Sequence, residues 1–314
     1  MSCSGMSMAT DESSLLALKS SIINMHSHPI ILANWSNASS VCDWIGVTCG
    51  TRIQRVIALD ISQMGLSATI PSQFGNLSSL VSLKASGNNF TGNLPDTLSH
   101  LHRLKIFDFR DNNLTGEISS WFGFLSNLQV LNLGQNHFTG SIPLSLFNLS
   151  KLETLDLSFN QVSGSIPSTI FNLSTLENLI LVSNYLSGTL PPNLCLHLIN
   201  IRRFEVTSNL LSGEMPKGLS MCFKQISLGL NYNHFEGTIP PEFGNLTSLE
   251  GFRVGGNNLR GRVPKEIGCL HDLKELQIEN NHLTGSLPRH MFNMSSLQLL
   301  NMNTNNISGN YPIR

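Results

Sequence analysis

The chain has 314 residues and a formal net charge of −1, and only 12% of its residues are charged. This balance excludes the basic surface that nucleic-acid-binding proteins need. A globular protein of this length normally has two domains, whereas a solenoid of repeats escapes that limit because it grows in one dimension.

The first ten residues, MSCSGMSMAT, contain no apolar run. They are therefore not a secretory signal peptide, and we predict that residues 1–10 are disordered. Further along, Cys42 and Cys49 enclose a short apolar loop, CDWIGVTC. A zinc site is excluded for this pair, because no second pair of cysteines or histidines stands at ligand spacing.

A repeat of about 24 residues fills residues 51–314. Each copy contains the pattern L-x-x-L-x-L-x-x-N, and a glycine usually follows the asparagine four residues later. In one copy, for example, Leu128, Leu131 and Leu133 precede Asn136. We count eleven copies, of which the first is degenerate and the last is truncated. The recurring asparagines, called ladder asparagines below, are Asn88, Asn112, Asn136, Asn160, Asn184, Asn209, Asn233, Asn257, Asn281 and Asn305.

The spacing of the leucines predicts one short strand in each repeat, because L-x-L places alternate side chains on opposite faces. No single repeat can bury its leucines alone, so stability must come from stacking on neighbouring repeats. We expect each ladder asparagine to satisfy backbone groups in the turn that follows its strand. A ligand-binding role for these asparagines is the weaker alternative.

The longer motif NHFTGSIPLSLFNL, residues 136–149, resembles the plant-specific leucine-rich repeat of receptor-like kinase and receptor-like protein ectodomains. The resemblance covers residues 11–314. It implies an α/β repeat solenoid, a right-handed superhelix with a parallel inner β-sheet. It also implies a second short sheet around the G-x-I-P segment and a convex side of 3₁₀ turns and loops.

Residues 11–50 resemble the N-terminal cap of these ectodomains. The resemblance implies a helix at DESSLLALKSSI, a packing role for Trp35 and a disulfide between Cys42 and Cys49. Cys195 and Cys222 stand at nearly equivalent places in consecutive coils, and related receptors have a similar disulfide after LPPNLC. Cys3 and Cys269 are expected to be unpaired, with Cys269 filling the core.

The positions two, four and six before each ladder asparagine alternate with the buried leucines, so we expect them to face the concave surface. There Ile180 and Val182, with Phe159 one coil earlier, form an apolar patch that a solvated sheet does not need. The predicted ligand-binding residues are Asp156, Phe159, Ile180, Val182, Arg203, Glu205, Asn231 and Tyr232. Four glycines are expected to let a ligand approach the backbone nearby: Gly229, Gly251, Gly255 and Gly256.

Nothing in the pattern predicts catalysis, a cofactor or a metal. His137, His234 and His282 each follow a ladder asparagine, but this column is spaced too widely for shared metal ligation. The kinase signatures G-x-G-x-x-G, H-R-D and D-F-G are absent, so we do not expect an enzyme.

Ten N-x-S/T sequons favour a glycosylated protein at the cell surface or outside the cell. No stretch of about 20 apolar residues exists that could insert into a membrane. Because the chain stops at NYPIR within a repeat, we expect a fragment of a longer product. The sequon asparagines are Asn34, Asn37, Asn76, Asn89, Asn113, Asn148, Asn172, Asn245, Asn293 and Asn306.

Three functions stay open at this point. The first is a receptor ectodomain in immune or developmental signalling, which binds a peptide or microbial protein and is joined by a co-receptor kinase with leucine-rich repeats. The second is a secreted defence protein like the polygalacturonase inhibitors, although their extra cap cysteines are missing here. The third is a truncated product without a function of its own.

Overall fold

The computed structural model describes residues 7–22 and 33–309, which leaves Cys3 outside the described residues. The chain divides into two compact units, Met1–Gln161 and Val162–Arg314. Within the described ranges, no helix is both long and apolar enough to cross a lipid bilayer.

The first unit opens with one α-helix and continues with nine strands. Its helix α1 spans Met8–Ser21. The strands are β1 (Val47–Cys49), β2 (Val56–Asp60), β3 (Ser82–Lys84), β4 (Thr91–Gly92), β5 (Ile106–Asp108), β6 (Asn113–Glu117), β7 (Val130–Asn132), β8 (His137–Thr139) and β9 (Thr154–Asp156). Short 3₁₀ helices span Val41–Asp43, Ser72–Asn76, Asp96–His100, Ser120–Phe124 and Leu144–Asn148.

The second unit repeats this plan without an α-helix among its described residues. Its strands are β10 (Ser163–Ser165), β11 (Asn178–Ile180), β12 (Tyr185–Thr189), β13 (Arg203–Glu205), β14 (Leu210–Glu214), β15 (Ser227–Gly229), β16 (His234–Gly237), β17 (Gly251–Arg253), β18 (Asn258–Arg262), β19 (Glu275–Gln277), β20 (His282–Gly285), β21 (Leu299–Asn301) and β22 (Asn306–Ile307). Its 3₁₀ helices span Ser168–Asn172, Leu194–Leu196, Lys217–Met221, Pro241–Asn245, Lys265–Cys269 and Arg289–Asn293.

Each unit contains the two kinds of sheet that the repeat predicts. In the first unit the longer sheet has the order β1-β2-β3-β5-β7-β9, and in the second unit it contains β11-β13-β15-β17-β19-β21. We call these the core sheets. Apart from the antiparallel pair β1–β2, the strand pairs described within each unit are parallel. The shorter strands form flank sheets around the G-x-I-P segments, as the resemblance implies.

The core follows from the register of the core-sheet strands. Phe107, Leu131 and Leu155 are direct neighbours in register, and all three are fully buried. The same stacking holds in the second unit through Phe204, Leu228 and Phe252. At the far end Leu300 is 38% exposed, because the structure describes no further coil to cover it.

The ladder asparagines connect successive coils, as predicted. Asn136 is buried, and its Nδ2 donates to Leu133 O at 3.1 Å within its own coil and to Phe109 O at 2.9 Å in the preceding coil. Its Oδ1 accepts from Leu114 N of the preceding coil at 3.0 Å. One amide side chain thus pairs buried backbone groups that the turn leaves without partners.

The N-terminal cap is tied to the first repeat by a buried ion pair. Asp11, on α1, is fully buried and accepts from Arg55 at 2.6 and 2.7 Å and from Val56 N at 2.9 Å. The hydrogen bonds that Arg55 donates to the Asp11 carboxylate raise the pKa of Arg55. The cap also buries Trp35, which stacks on Trp44 with ring centroids 5.4 Å apart.

Both disulfides that the resemblance implies are present, Cys42–Cys49 and Cys195–Cys222. Two expectations are wrong. Helix α1 begins at Met8, so residues 8–10 are helical although they were predicted to be disordered, and Ser7 is the N-cap residue with Thr10 completing a capping box. The prediction of disorder for residues 1–6 lies outside the described residues. Cys269 is free but exposed, since it occupies the position at which other copies carry a solvent-facing asparagine.

Candidate ligand-binding surface

Each core sheet has one face against the leucine core and one face that the repeat leaves uncovered. Because side chains alternate along a strand, the residues between buried leucines point away from the core. We call this second side the open face. The predicted ligand-binding residues belong to strands of the open face or to the turns directly after those strands.

In the first unit, the carboxylate of Asp156 accepts hydrogen bonds from within the protein. Its Oδ1 accepts from the backbone N of Ser158 at 2.9 Å and from the Ser158 hydroxyl at 2.6 Å. Two strands away in the same sheet, burial raises the pKa of Asp108, and the backbone N–H and charge of Arg110 offset this only in part. The open face of this unit is therefore polar and hydrogen-bonded.

Phe159 and Tyr232 share an uncommon backbone conformation. They directly precede ladder asparagines, their φ angles are 53° and 52°, and each side chain is 52% exposed. Positive φ recurs at this position in most coils, for example at Asp111, Gln135 and Asn280, so it belongs to the repeat turn and does not by itself mark a binding site. Each belongs to its own unit, Phe159 to the first and Tyr232 to the second.

In the second unit, Ile180 and Val182 are partly exposed and Arg203 is exposed. Ile180 pairs in register with Glu205 of the next strand, so an apolar and an acidic residue are neighbours there. Phe159 lies in the first unit, and its grouping with Ile180 and Val182 stays a prediction.

A network of hydrogen bonds crosses the open face of the second unit. Arg253 on β17 is at its centre, with Nη1 3.3 Å from Glu205 Oε1 and Nη2 2.7 Å from Glu275 Oε2. Gln277 Nε2 donates to Glu275 Oε1 at 2.7 Å, and Asn231 Nδ2 donates to Gln277 Oε1 at 2.6 Å. We call Glu205, Ser227, Asn231, Arg253, Glu275 and Gln277 the open-face network.

Two predicted contact residues are thus internal members of this network. Glu205 is 6% exposed and accepts from the Ser227 hydroxyl, while Asn231 is 3% exposed and accepts from Gly255 N at 2.7 Å. With their polar atoms used in this way, these two side chains fix the shape of the surface. Arg203 and Tyr232 are exposed and do not belong to the open-face network.

The expectation for the four glycines is wrong, because neighbouring side chains fill the space above them. A Cβ atom on Gly229 would collide with the carboxylate of Glu205, and one on Gly251 would lie 2.9 Å from Arg253 Nη2. A Cβ on Gly255 would lie 2.5 Å from Glu279 Oε1. These glycines admit the side chains of adjacent coils to the surface, not a ligand.

Sequence reasoning placed the positions of Ser227, Arg253, Glu275, Gln277 and Glu279 on this face but did not choose these residues as ligand contacts. The available signal was Arg253, four residues before its ladder asparagine. Acidic residues stand at the same or a neighbouring repeat position in nearby coils, namely Glu205 and Glu275. The described residues contain no group of three His, Cys, Asp or Glu side chains that could hold a metal ion.

Most sequon asparagines are accessible in the structure. Asn34 and Asn76 are partly exposed and the other eight are exposed. The side chain of Asn34 forms two hydrogen bonds with the backbone: its Nδ2 donates to Asp43 O at 2.9 Å and its Oδ1 accepts from Ile45 N at 3.3 Å. A glycan on Asn34 would be attached to Nδ2, the same atom that donates this hydrogen bond to the cap loop.

Comparison with known proteins agrees with this architecture. A profile described as "Leucine rich repeat N-terminal domain" matches residues 8–50, and leucine-rich-repeat profiles match residues 79–101, 103–162, 226–246 and 272–294. The LRR receptor-like serine/threonine-protein kinase EFR of Arabidopsis thaliana is 41% identical over 81 residues. That match includes 26% of this chain and spans only 8% of the relative's length.

Solved structures extend the similarity to nearly the whole chain. The ectodomain of the Arabidopsis thaliana membrane receptor kinase GASSHO1/SCHENGEN3, in complex with CASPARIAN STRIP INTEGRITY FACTOR 2, has a TM-score of 0.89 and 33% identity. The match covers 96% of this chain and 36% of that one. The Arabidopsis receptor kinase HAESA, in complex with the peptide hormone IDA and the co-receptor SERK1, has a TM-score of 0.79 and 30% identity, covering 95% and 54%.

Proposed function

We propose that this leucine-rich repeat chain, which is similar to the ectodomains of plant peptide-hormone receptors, recognises a peptide on its open face. The observation that carries the proposal is Tyr232, a half-exposed aromatic side chain directly after Asn231 of the open-face network. An exposed aromatic anchor next to a rigid polar surface suits peptide recognition, in which a few residues supply most of the binding energy.

The ligand contacts in this proposal are Ile180, Val182, Arg203 and Tyr232 in the second unit and Phe159 in the first, with Asp156, Glu205 and Asn231 orienting the surface. We further propose that the protein acts outside the cell in immune or developmental signalling, as part of a receptor kinase or receptor-like protein. The accessible sequons and low charge support an extracellular, glycosylated product. A co-receptor kinase is the expected partner.

Selection from a displayed library of random dodecapeptides on the secreted, glycosylated chain tests this proposal. We expect selected peptides to lose about tenfold or more in affinity on Tyr232→Ala and on the double variant Ile180→Arg, Val182→Asp. The matched control is Thr169→Arg, at an exposed position in the Ser168–Asn172 3₁₀ helix. Peptides that bind both open-face variants as tightly as the unchanged chain would contradict the proposal.

A further inference from the structure

The charges on the open face of the second unit do not balance. Arg253 is the cation of the open-face network, and its guanidinium already contacts the carboxylates of both Glu205 and Glu275. A third carboxylate, that of Glu279, lies on the same face in the turn after β19. Within the described part of the chain, no lysine, arginine or histidine forms an ion pair with Glu279.

Glu279 is held in a position that a carboxylate does not take without compensation. The residue is 5% exposed, and its Oε2 is buried without a hydrogen-bond partner. Removing a carboxylate from water is costly unless a cation or hydrogen-bond donors replace the lost water. The free protein offers neither to Oε2.

The surroundings of Glu279 keep it on the open face. Its carboxylate lies over Gly255, where an added Cβ would be 2.5 Å from Oε1 and 2.7 Å from Oε2. Gly255 follows the buried Val254, so its missing side chain would point away from the core. Gly255 is itself fixed by donating its N–H to Asn231 Oδ1.

We infer that the peptide bound by this face carries a lysine or arginine side chain whose charge pairs with the Glu279 carboxylate. The inference deepens the proposed function and rests on it. A basic side chain supplies the missing positive charge and the missing donors together, and a guanidinium can donate two parallel hydrogen bonds to one carboxylate.

The test uses pools of acetylated and amidated dodecapeptides with one position fixed at a time. The fixed residue is arginine, lysine, leucine or citrulline, the neutral analogue of arginine, and the randomised positions contain no lysine or arginine. Binding to the secreted chain is measured by fluorescence anisotropy. We expect at least one position at which the arginine pool binds about tenfold more tightly than the citrulline pool.

The variant Glu279→Gln, which keeps the size of the side chain, should reduce that ratio to about threefold or less. The matched control Glu236→Gln removes an exposed carboxylate from β16 in the flank sheet and should leave the ratio unchanged. The inference is overturned by equal binding of the arginine and citrulline pools, or by the same ratio for Glu279→Gln as for the unchanged chain.

Two further outcomes separate this inference from the proposed function. If pools bind and Tyr232→Ala weakens them, but arginine brings no advantage over citrulline, only the basic-residue inference fails. If no pool binds at all, both fail. The comparison of arginine with citrulline uses the unchanged chain, so equal binding of the two pools overturns the inference even if Glu279→Gln folds poorly.

Discussion

Asn136 illustrates how one side chain can support two coils. Its amide makes hydrogen bonds with backbone groups of its own coil and of the preceding coil, and it is buried. We expect Asn136→Ala to lower the free energy of unfolding by roughly 1–3 kcal/mol, because Leu114 N loses its side-chain acceptor and the carbonyls of Phe109 and Leu133 each lose one of two side-chain donors. Urea denaturation measures this. The exposed Asn148, changed to alanine, should cost under about 0.5 kcal/mol, and equal losses would contradict the ladder.

Burial raises the pKa of Asp108, so its ionised form opposes folding. A carboxyl group whose pKa is higher in the folded than in the unfolded state destabilises the fold fully above the folded-state pKa, and this penalty disappears as pH falls through the unfolded-state pKa. Asp108→Asn should therefore increase stability at neutral pH, by less than about 1 kcal/mol because solvent screens a partly exposed group.

This gain should vanish in acid, where the native carboxyl is protonated as well. Urea denaturation of both proteins at neutral and acidic pH checks the sign. The exposed Asp272, changed to asparagine, serves as the control and should show no such difference. A larger gain at acidic than at neutral pH would refute the assignment.

Phe159 bears the cost of a left-handed backbone conformation, with φ at 53°. Asparagine tolerates this conformation, so Phe159→Asn should stabilise the first unit by up to about 1 kcal/mol. Differential scanning calorimetry detects this as a higher melting temperature. The matched control is Phe124→Asn, which removes a phenylalanine that is 67% exposed and is absent from the positive-φ residues. A gain in the control as large as in Phe159→Asn would show that backbone strain is not the cause.

The strands were the most predictable elements and the polar surface was the least. Leucines at period two placed β7 and β9 correctly, because only one register buries Leu131 and Leu155. The flank sheets followed from resemblance alone, since their short segments around glycine carry no clear period. The start of α1 was missed because Ser7 caps the helix ahead of its first apolar stripe.

The open-face network could not be predicted from the columns. The position of a residue within the repeat predicts which face of the sheet its side chain is on. It does not predict the rotamer by which Arg253 contacts carboxylates on two different strands. The glycines were misjudged for the same reason: their neighbours' side chains extend over them. Residue identity predicts the composition of this surface, but its contacts depend on side-chain rotamers.

The cap is held to the repeats by a small number of buried polar contacts, so it should be sensitive to losing one of them. Asp11→Ala would remove the buried ion pair with Arg55 and the acceptor of the Val56 N–H. Breaking a buried ion pair in this way costs about 3–5 kcal/mol. We expect limited proteolysis to cut the cap faster in this variant. Asp43→Ala, at an exposed position of the same cap, should be cut at the rate of the unchanged chain.

A solenoid differs from a globular domain in how damage spreads, because each coil contacts only its neighbours. Leu228 is fully buried between Phe204 and Phe252, so Leu228→Asp introduces an unpaired charge into the stack. Hydrogen exchange should show the greatest loss of protection in β13, β15 and β17, with a smaller loss in β19 and β21. Leu210→Asp is the matched control, since Leu210 is 46% exposed and should change exchange little. A uniform loss across the second unit would instead mean that it unfolds as one cooperative block, and that neighbour stacking does not limit the spread of damage.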